Sequence, residues 1–392
     1  MSLKTILSFL AVFSLSACVT PQLAQTEVRS SINQQELSKT LDQVVDWQIA
    51  HFSYKEKGNL HDYGLDAWTN SVLYLGLAQW AEHSPKSDEI YAWLYQDIGE
   101  KNQWQIPANF KNYRKYSLYH ADELAIAQFY TRMYLKYGED KMLKATKERL
   151  DWIMSSQPNE AMVAHNKQMW SWCDALFMAP PVYAALAKLY KDETYLSYMH
   201  KRFLQTYHHL YDIDDKLFFR DSSYFNQREA NGQKVFWGRG NGWVVAGICN
   251  ILDWMPEQDA RRGFYIDLYR VMMNRLLELR DEQGYWHASL LDSASYPAPE
   301  TSATAMITYA LAYGINKGIL DKEIYLPTLE QSWQALVAVV SEEGKLGFVQ
   351  PIGADPKKVT EDMTAVYGVG AFLLAGNEIY KLTNEEKKHE KN

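Results

Sequence analysis

Sulfur for cross-links is scarce: the 392 residues hold three cysteines, and Cys18 falls in an apolar N-terminal segment. The other two, Cys173 and Cys249, give weak grounds for a disulfide. Basic runs longer than a few residues are missing from a chain of net charge −8, which argues against nucleic-acid binding. An anionic ligand would have to be met by a local cluster of Arg, Lys or His. Metal-ligand spacing is missing too. His208 and His209 are adjacent and point different ways on a helix, and the cysteines lack zinc spacing. No Gly-x-Ser-x-Gly elbow marks a serine hydrolase. A consensus repeat of the kind that builds helical solenoids is absent, and convincing strands hardly occur.

The N-terminus lies outside the fold. Residues 6–15 form an apolar run too short to span a bilayer, and it ends Leu15-Ser16-Ala17-Cys18. This order of apolar segment, small residues and cysteine resembles a bacterial lipobox, so residues 1–17 are expected to be a signal peptide and Cys18 the lipidated first residue. A signal peptide cleaved elsewhere is the alternative. Val19 follows Cys18 rather than Asp, which points to the outer membrane of a Gram-negative cell. Residues 18–31 read as a tether, 32–385 as one catalytic domain and 386–392 as a charged tail.

What the chain has in plenty is aromatic residues, at 14%, with 13 Trp and 27 Tyr. They fit an aromatic core or a surface on which sugar rings stack, and composition leaves both open. Apolar residues recur with helical spacing over 36–51, 68–82, 88–98, 121–136, 141–155, 181–190, 193–210, 242–255, 257–280, 301–318, 322–340 and 364–382. Residues 216–236 read as a β-hairpin turning at Asn231-Gly232. Paired helices of uneven sequence point to an all-α (α/α)6 toroid with a small hairpin insertion, whose longer loops surround a pocket at one end.

Unusual chemistry gathers at helix starts. Residues 164–181 pack Trp170, Trp172, Cys173, Asp174 and Phe177 before Pro180 and Pro181, which suit a first helical turn. Asp174 sits among apolar neighbours, where burial is expected to raise its pKa and suit it as a general acid. Stabilisation by the helix macrodipole is the plainer alternative. Residues 61–70 carry His61, Asp62, Asp66 and Trp68 before a helix. Tyr119-His120-Ala121-Asp122 precedes another, where Asp122 fits an N-cap as well as a site. The sequence WGRGNGW at 237–243 sets three glycines beside Trp237, Arg239 and Trp243, letting the backbone approach a ligand. Glu300 or Thr301 most simply caps the following helix.

Taken together, WCDALFMAPP at 172–181, WGRGNGW, Glu300-Thr301-Ser302 running into AMITYALAYGI, and GVGAFLLAGNEIYKL at 368–382 resemble glycoside hydrolase family 105. Its members are unsaturated glycuronyl hydrolases, and the likeness covers about residues 37–382. The resemblance implies the toroid and hydration of the C4=C5 vinyl ether of an unsaturated uronate left by polysaccharide lyases. It implies Asp174 as acid/base and Asp122 as the second carboxylate. It implies sugar contacts from Trp172, Trp237, Arg239, Trp243, Trp68 and His165. No metal or organic cofactor is implied. The partner is an anionic oligosaccharide, with no nucleic acid and no membrane contact beyond the lipid.

One position departs from the family. Arg220 stands where relatives have a histidine beside the sugar, so it is expected either to meet a permanent anion or to pair with Asp221 or Glu229. Two other readings of the chain stay open: an inverting glycosidase or polysaccharide lyase on the same toroid, and a non-catalytic glycan-binding lipoprotein.

Overall fold

Two kinds of helix alternate along this chain, and the difference between them dictates the architecture. A computed structural model describes residues 29–52, 64–107, 117–164 and 166–390. The expected signal peptide, Cys18, most of the tether, His61, Asp62 and His165 lie outside the described residues. Among the described residues, twelve α-helices have seven residues or more: α1 (Gln34–Ala50), α2 (Trp68–Trp80), α3 (Ser87–Trp93), α4 (Ile126–Tyr137), α5 (Lys141–Ser155), α6 (Pro180–Tyr190), α7 (Glu193–Leu210), α8 (Gly238–Trp254), α9 (Arg262–Leu279), α10 (Thr301–Asn316), α11 (Lys322–Ala338) and α12 (Val366–Glu390).

Three of the even-numbered helices are buried nearly all round. In α2 every residue but Trp68 is buried, in α8 every residue but Asp253, and in α10 every residue but Asn316. Odd-numbered helices bury a single stripe, as α7 does with Tyr195, Leu196, Met199, Phe203, Thr206 and Leu210. A helix buried on all sides must be surrounded. Accordingly α2, α4, α6, α8, α10 and α12 pack in that order into a closed inner ring, with α12 back against α2. Each odd helix covers one inner neighbour, and α1 closes the circle on α12. The fold is the expected (α/α)6 toroid.

The inner helices begin at the same end of the ring. Trp68 at the start of α2 stacks on Tyr367 at the start of α12, with centroids 5.3 Å apart, and Arg239 at the start of α8 lies over the same tyrosine at 5.0 Å. The expected caps are in place. Pro180 and Pro181 open α6, Gly138 ends α4 with φ +70°, and Glu300 caps α10 by accepting from the Ala303 amide at 2.8 Å.

Several boundaries differ from the sequence reading, α9 among them, which begins at Arg262 rather than at residue 257. The ladder of the hairpin lies earlier, between β1 (Tyr211–Asp212) and β2 (Leu217–Phe218), because the Asp212 carboxylate accepts the Asp214 and Asp215 amides and closes a tight turn there. The Asn231-Gly232 turn exists, with Gly232 at φ +83°, but is braced by one bridge only, Arg228 to Lys234. Helix α8 starts four residues before the expected Gly242. At the chain ends, Ser30 and Ser31 of the expected tether dock on Glu386 and Glu330, and Glu386 belongs to α12 rather than to a free tail.

Ring closure depends on backbone contact between α2 and α12. A Cβ on Gly76 would stand 2.5 Å from the Gly370 carbonyl oxygen, and one on Gly370 would collide with the Val72 carbonyl. Backbone on both sides leaves no side chain to give way. Gly370→Ala is therefore expected to destabilise the fold by about 1–3 kcal/mol, seen as a lower melting temperature. Gly263→Ala in α9, where nothing lies within 4 Å, should leave it unchanged or raised. Equal melting temperatures for the two variants would refute backbone contact as the closing constraint.

Candidate active site

Asp122 and Asp174 come from neighbouring inner-helix starts. Asp122 lies on a 3-10 turn (Ala121–Leu124) leading into α4. Asp174 precedes a single turn (Ala175–Met178) leading into α6. The turn carrying Asp174 is held by a β-bridge between Trp172 and Asp221, with the Cys173 amide donating to the Arg220 carbonyl at 2.8 Å. That bridge brings Arg220 to the acid: its Nε stands 3.7 Å from Asp174 Oδ2. The other side of the guanidinium is ion-paired with buried Asp221, whose carboxylate also accepts the Ser223 amide at 2.9 Å. Of the two fates open to Arg220, pairing with Asp221 is the one observed, and Asp174 is a second partner. The Cys173 thiol donates to Asp174 Oδ2 at 3.4 Å.

The carboxyl that burial lifts is Asp122. Removal of water, and then the negative charge of Asp174, push its pKa up to about 7 against the opposing pull of Lys167 and Arg220. Its Oδ1 is buried without a hydrogen-bond partner. Its Oδ2 lies 3.8 Å from His120 Nδ1, and that nitrogen accepts the Asp122 amide at 3.2 Å. A ring nitrogen that accepts carries no proton, so His120 offers Asp122 no charge there. Burial, Lys167 and Arg220 agree with this by pulling the histidine down to about 3.

Trp172 belongs to the same cluster, its ring 4.9 Å from His120 and 4.7 Å from Lys167 Nζ. Trp68 remains half-buried at the start of α2. The WGRGNGW residues are placed otherwise than expected. Trp237, Arg239 and Trp243 are all 2% exposed or less. Trp243 packs on Phe177 at 4.7 Å, and Trp237 donates to the Gln350 side chain at 3.2 Å. The Arg239 fork is taken by the Gln350 and Pro351 carbonyls, and its plane lies 4.5 Å over Trp237. The glycines serve packing: a Cβ on Gly238 would strike the His287 carbonyl, and one on Gly242 would press on Met306 at 3.2 Å. This motif is the floor beneath the site, and Arg239 is spent holding the loop at 350–351.

Sequence reading missed Lys167 as a member of the cluster and named Asp221 only as a partner for Arg220. Cys173 carried a signal, its place beside Asp174. Lys167 arrives through loop folding that no periodicity encodes.

If Arg239 holds backbone rather than sugar, Arg239→Met strands two buried carbonyls and should cost about 1–3 kcal/mol of stability, lowering the melting temperature together with any loss of affinity. A raised KM at an unchanged melting temperature would instead place Arg239 on the ligand.

Comparison with known proteins follows the same lines. Residues 40–383 match the family model of Glycosyl Hydrolase Family 88. The chain is 35% identical over 370 residues to a protein of Formosa agariphila named unsaturated 3S-rhamnoglycuronyl hydrolase, covering 90% of this chain and 93% of that one. Among solved structures, a family 88 glycosyl hydrolase from Bacteroides vulgatus superposes with a TM-score of 0.79 at 28% identity, over 90% of this chain and all of its own. Another, described as a polysaccharide lyase, gives 0.78 at 30% identity, over 89% of this chain and 97% of that one. The sequence reading pointed to family 105; the family model that matches is that of family 88. With an acid pair at one end of the toroid and that match over nearly the whole folded chain, the protein is a glycoside hydrolase belonging to Glycosyl Hydrolase Family 88.

Proposed function

We propose that the protein removes a 4,5-unsaturated uronate from the non-reducing end of oligosaccharides by hydrating its C4=C5 double bond. The observation that carries this reading is the pair Asp122 and Asp174, close enough for the charge of one to raise the pKa of the other, with Arg220 beside them. Hydration of a vinyl ether needs a proton delivered to C4 and a proton taken from the water that attacks C5. Two carboxyls sharing one proton supply both. The resulting hemiketal at C5 opens to a ketone, and the hemiacetal then left at C1 expels the leaving sugar. Asp174 exchanges protons with substrate, as its motif implies, and Asp122 stands beside it. The name of the Formosa relative supports a rhamnose on the leaving side.

The lyase description of one structural neighbour favours a second reading. The two predict opposite optical signals. A hydrolase consumes the ultraviolet absorbance of the unsaturated uronate in lyase digests of ulvan, pectin or glycosaminoglycans; a lyase creates that absorbance from intact polymer. Loss of absorbance is expected, and Asp174→Asn should slow it at least ~10²-fold, since an amide cannot donate an acidic proton. Near-normal turnover in that variant would end the assignment of Asp174.

The same proposal anchors the enzyme to a bacterial envelope membrane through lipid at Cys18, supported by the order of apolar run, small residues and cysteine over residues 6–18. Mass spectrometry of the mature N-terminus should find a diacylglyceryl-modified Cys18. An unmodified start downstream of it would refute the anchor.

A further inference from the structure

The chain enters the toroid at the end opposite the acid pair. Inner helices start at the site end and finish at the far end, and each outer helix runs back from the far end toward the site. The first outer helix, α1, therefore begins at the far end, beside the close of α12, where Lys387 Nζ donates to the Gln34 side chain at 2.8 Å. Just before α1 the incoming segment is fastened. Both Glu386 carboxylate oxygens accept the Ser30 amide, at 3.0 and 3.2 Å, and Lys322 at the start of α11 holds the same carboxylate at 2.7 Å. The Ser31 hydroxyl donates to Glu330 at 2.9 Å, so two consecutive residues are tied to α12 and α11.

Distances along the helices turn that fastening into an orientation. Glu386 is twenty residues past Val366, the first residue of α12, which puts the fastening roughly 30 Å from the site end at 1.5 Å per residue. Twelve peptide steps separate Cys18 from Ser30 and span at most about 40 Å. A lipid at Cys18 can reach a bilayer under the far end with chain to spare. For the site to face that bilayer, most of this length would have to lie straight along the side of the ring, which costs conformational freedom at every residue. Surface charge at the far end does not decide the matter, since Asp321, Lys322 and Glu323 alternate in sign there.

We propose that the far end of the toroid, where α1 and α11 begin and α12 closes, is the face turned to the bilayer, so that the acid pair opens on the aqueous side. This rests on the lipid anchor at Cys18 proposed above and adds its geometry. The partner of that face is a lipid surface, held through the anchor rather than by insertion of the ring. Oligosaccharides then reach Asp122 and Asp174 from solution, with no passage between protein and membrane.

Two positions report the orientation. Ile324 near the start of α11 and Ile213 just past the site end of α7 are both exposed. They differ in height by roughly 25 Å, the length of α7. The mature chain from Cys18 is coupled through that thiol to maleimide lipid in phosphatidylcholine vesicles; Cys173 and Cys249 are buried and do not compete. A fluorophore is attached through an azide-bearing residue introduced at Ile213 or at Ile324, and energy transfer to an acceptor at the bilayer surface measures each height. The label at 324 should stand about 25 Å nearer the bilayer than the label at 213. Anchoring instead through Ile213→Cys, with Cys18→Ser, supplies the reversed reference, in which the label at 324 should rise by a comparable amount. Equal heights in the Cys18-anchored protein, or 213 the nearer, would overturn the proposal. Mass spectrometry of the protein from cells tests the lipid reading by itself: an unmodified N-terminus would sink that reading, while the heights on vesicles would still decide the orientation.

Discussion

The touching backbones of α2 and α12 at Gly76 and Gly370 set the dimensions of the molecule. A ring of six helices closes only if no contact around it is held apart, and this contact has no side chain between the helices. Closure in turn buries α10, in which nine of sixteen residues are Ala, Thr, Ser or Gly. Small residues at close range recover dispersion contacts that larger ones would gain by volume. The ring leaves one way to place functional side chains, at the helix starts.

That placement settles the electrostatics. Burial alone can lift a carboxyl by several pKa units, whereas a single nearby cation usually takes back one to three. At Asp122 burial and the charge of Asp174 outweigh Lys167 and Arg220, and the outcome is a group near pH 7. At Asp174 the cation alongside is Arg220, its Nε 3.7 Å from the carboxylate and its far side fixed by Asp221. The site needs no large positive surface, and a chain of net charge −8 can carry it. One guanidinium and one ammonium suffice where water is kept out.

Much of this was legible in the sequence, for identifiable reasons. Helical periodicity found the elements, since burial on one stripe or all round leaves a 3.6-residue signature in either case. Proline at the start of α6 and glycine at the end of α4 are local devices and act wherever they occur. The acid pair was visible because both aspartates sit at helix starts in distinctive company. WGRGNGW was ambiguous in sequence because glycine permits close approach to a ligand and to a neighbouring helix alike. Only the positions of Met306 and the His287 carbonyl decide between them. Arg220 was ambiguous for a similar reason: its sequence neighbour Asp221 was in view, but the bridge that turns it toward Asp174 joins residues far apart in the chain.

The aromatic abundance that composition left open divides unevenly between its two explanations. Trp80, Trp104, Trp237, Trp243 and Trp286 are almost wholly buried, and most ring contacts are with other rings of the core. They build the scaffold. What stays part-exposed near the acid pair is a different set: Lys167, Arg220 and Tyr224 from loops, and Trp68 at a helix start. The floor of Trp237, Arg239 and Trp243 is locked by carbonyls and rings, so it can hold the acid pair in one geometry whatever sugar lies above it. The loop residues, by contrast, can change without disturbing the ring. A chain can in this way keep the helix starts that hold the two aspartates and vary a residue such as Arg220 beside them while the toroid beneath stays the same.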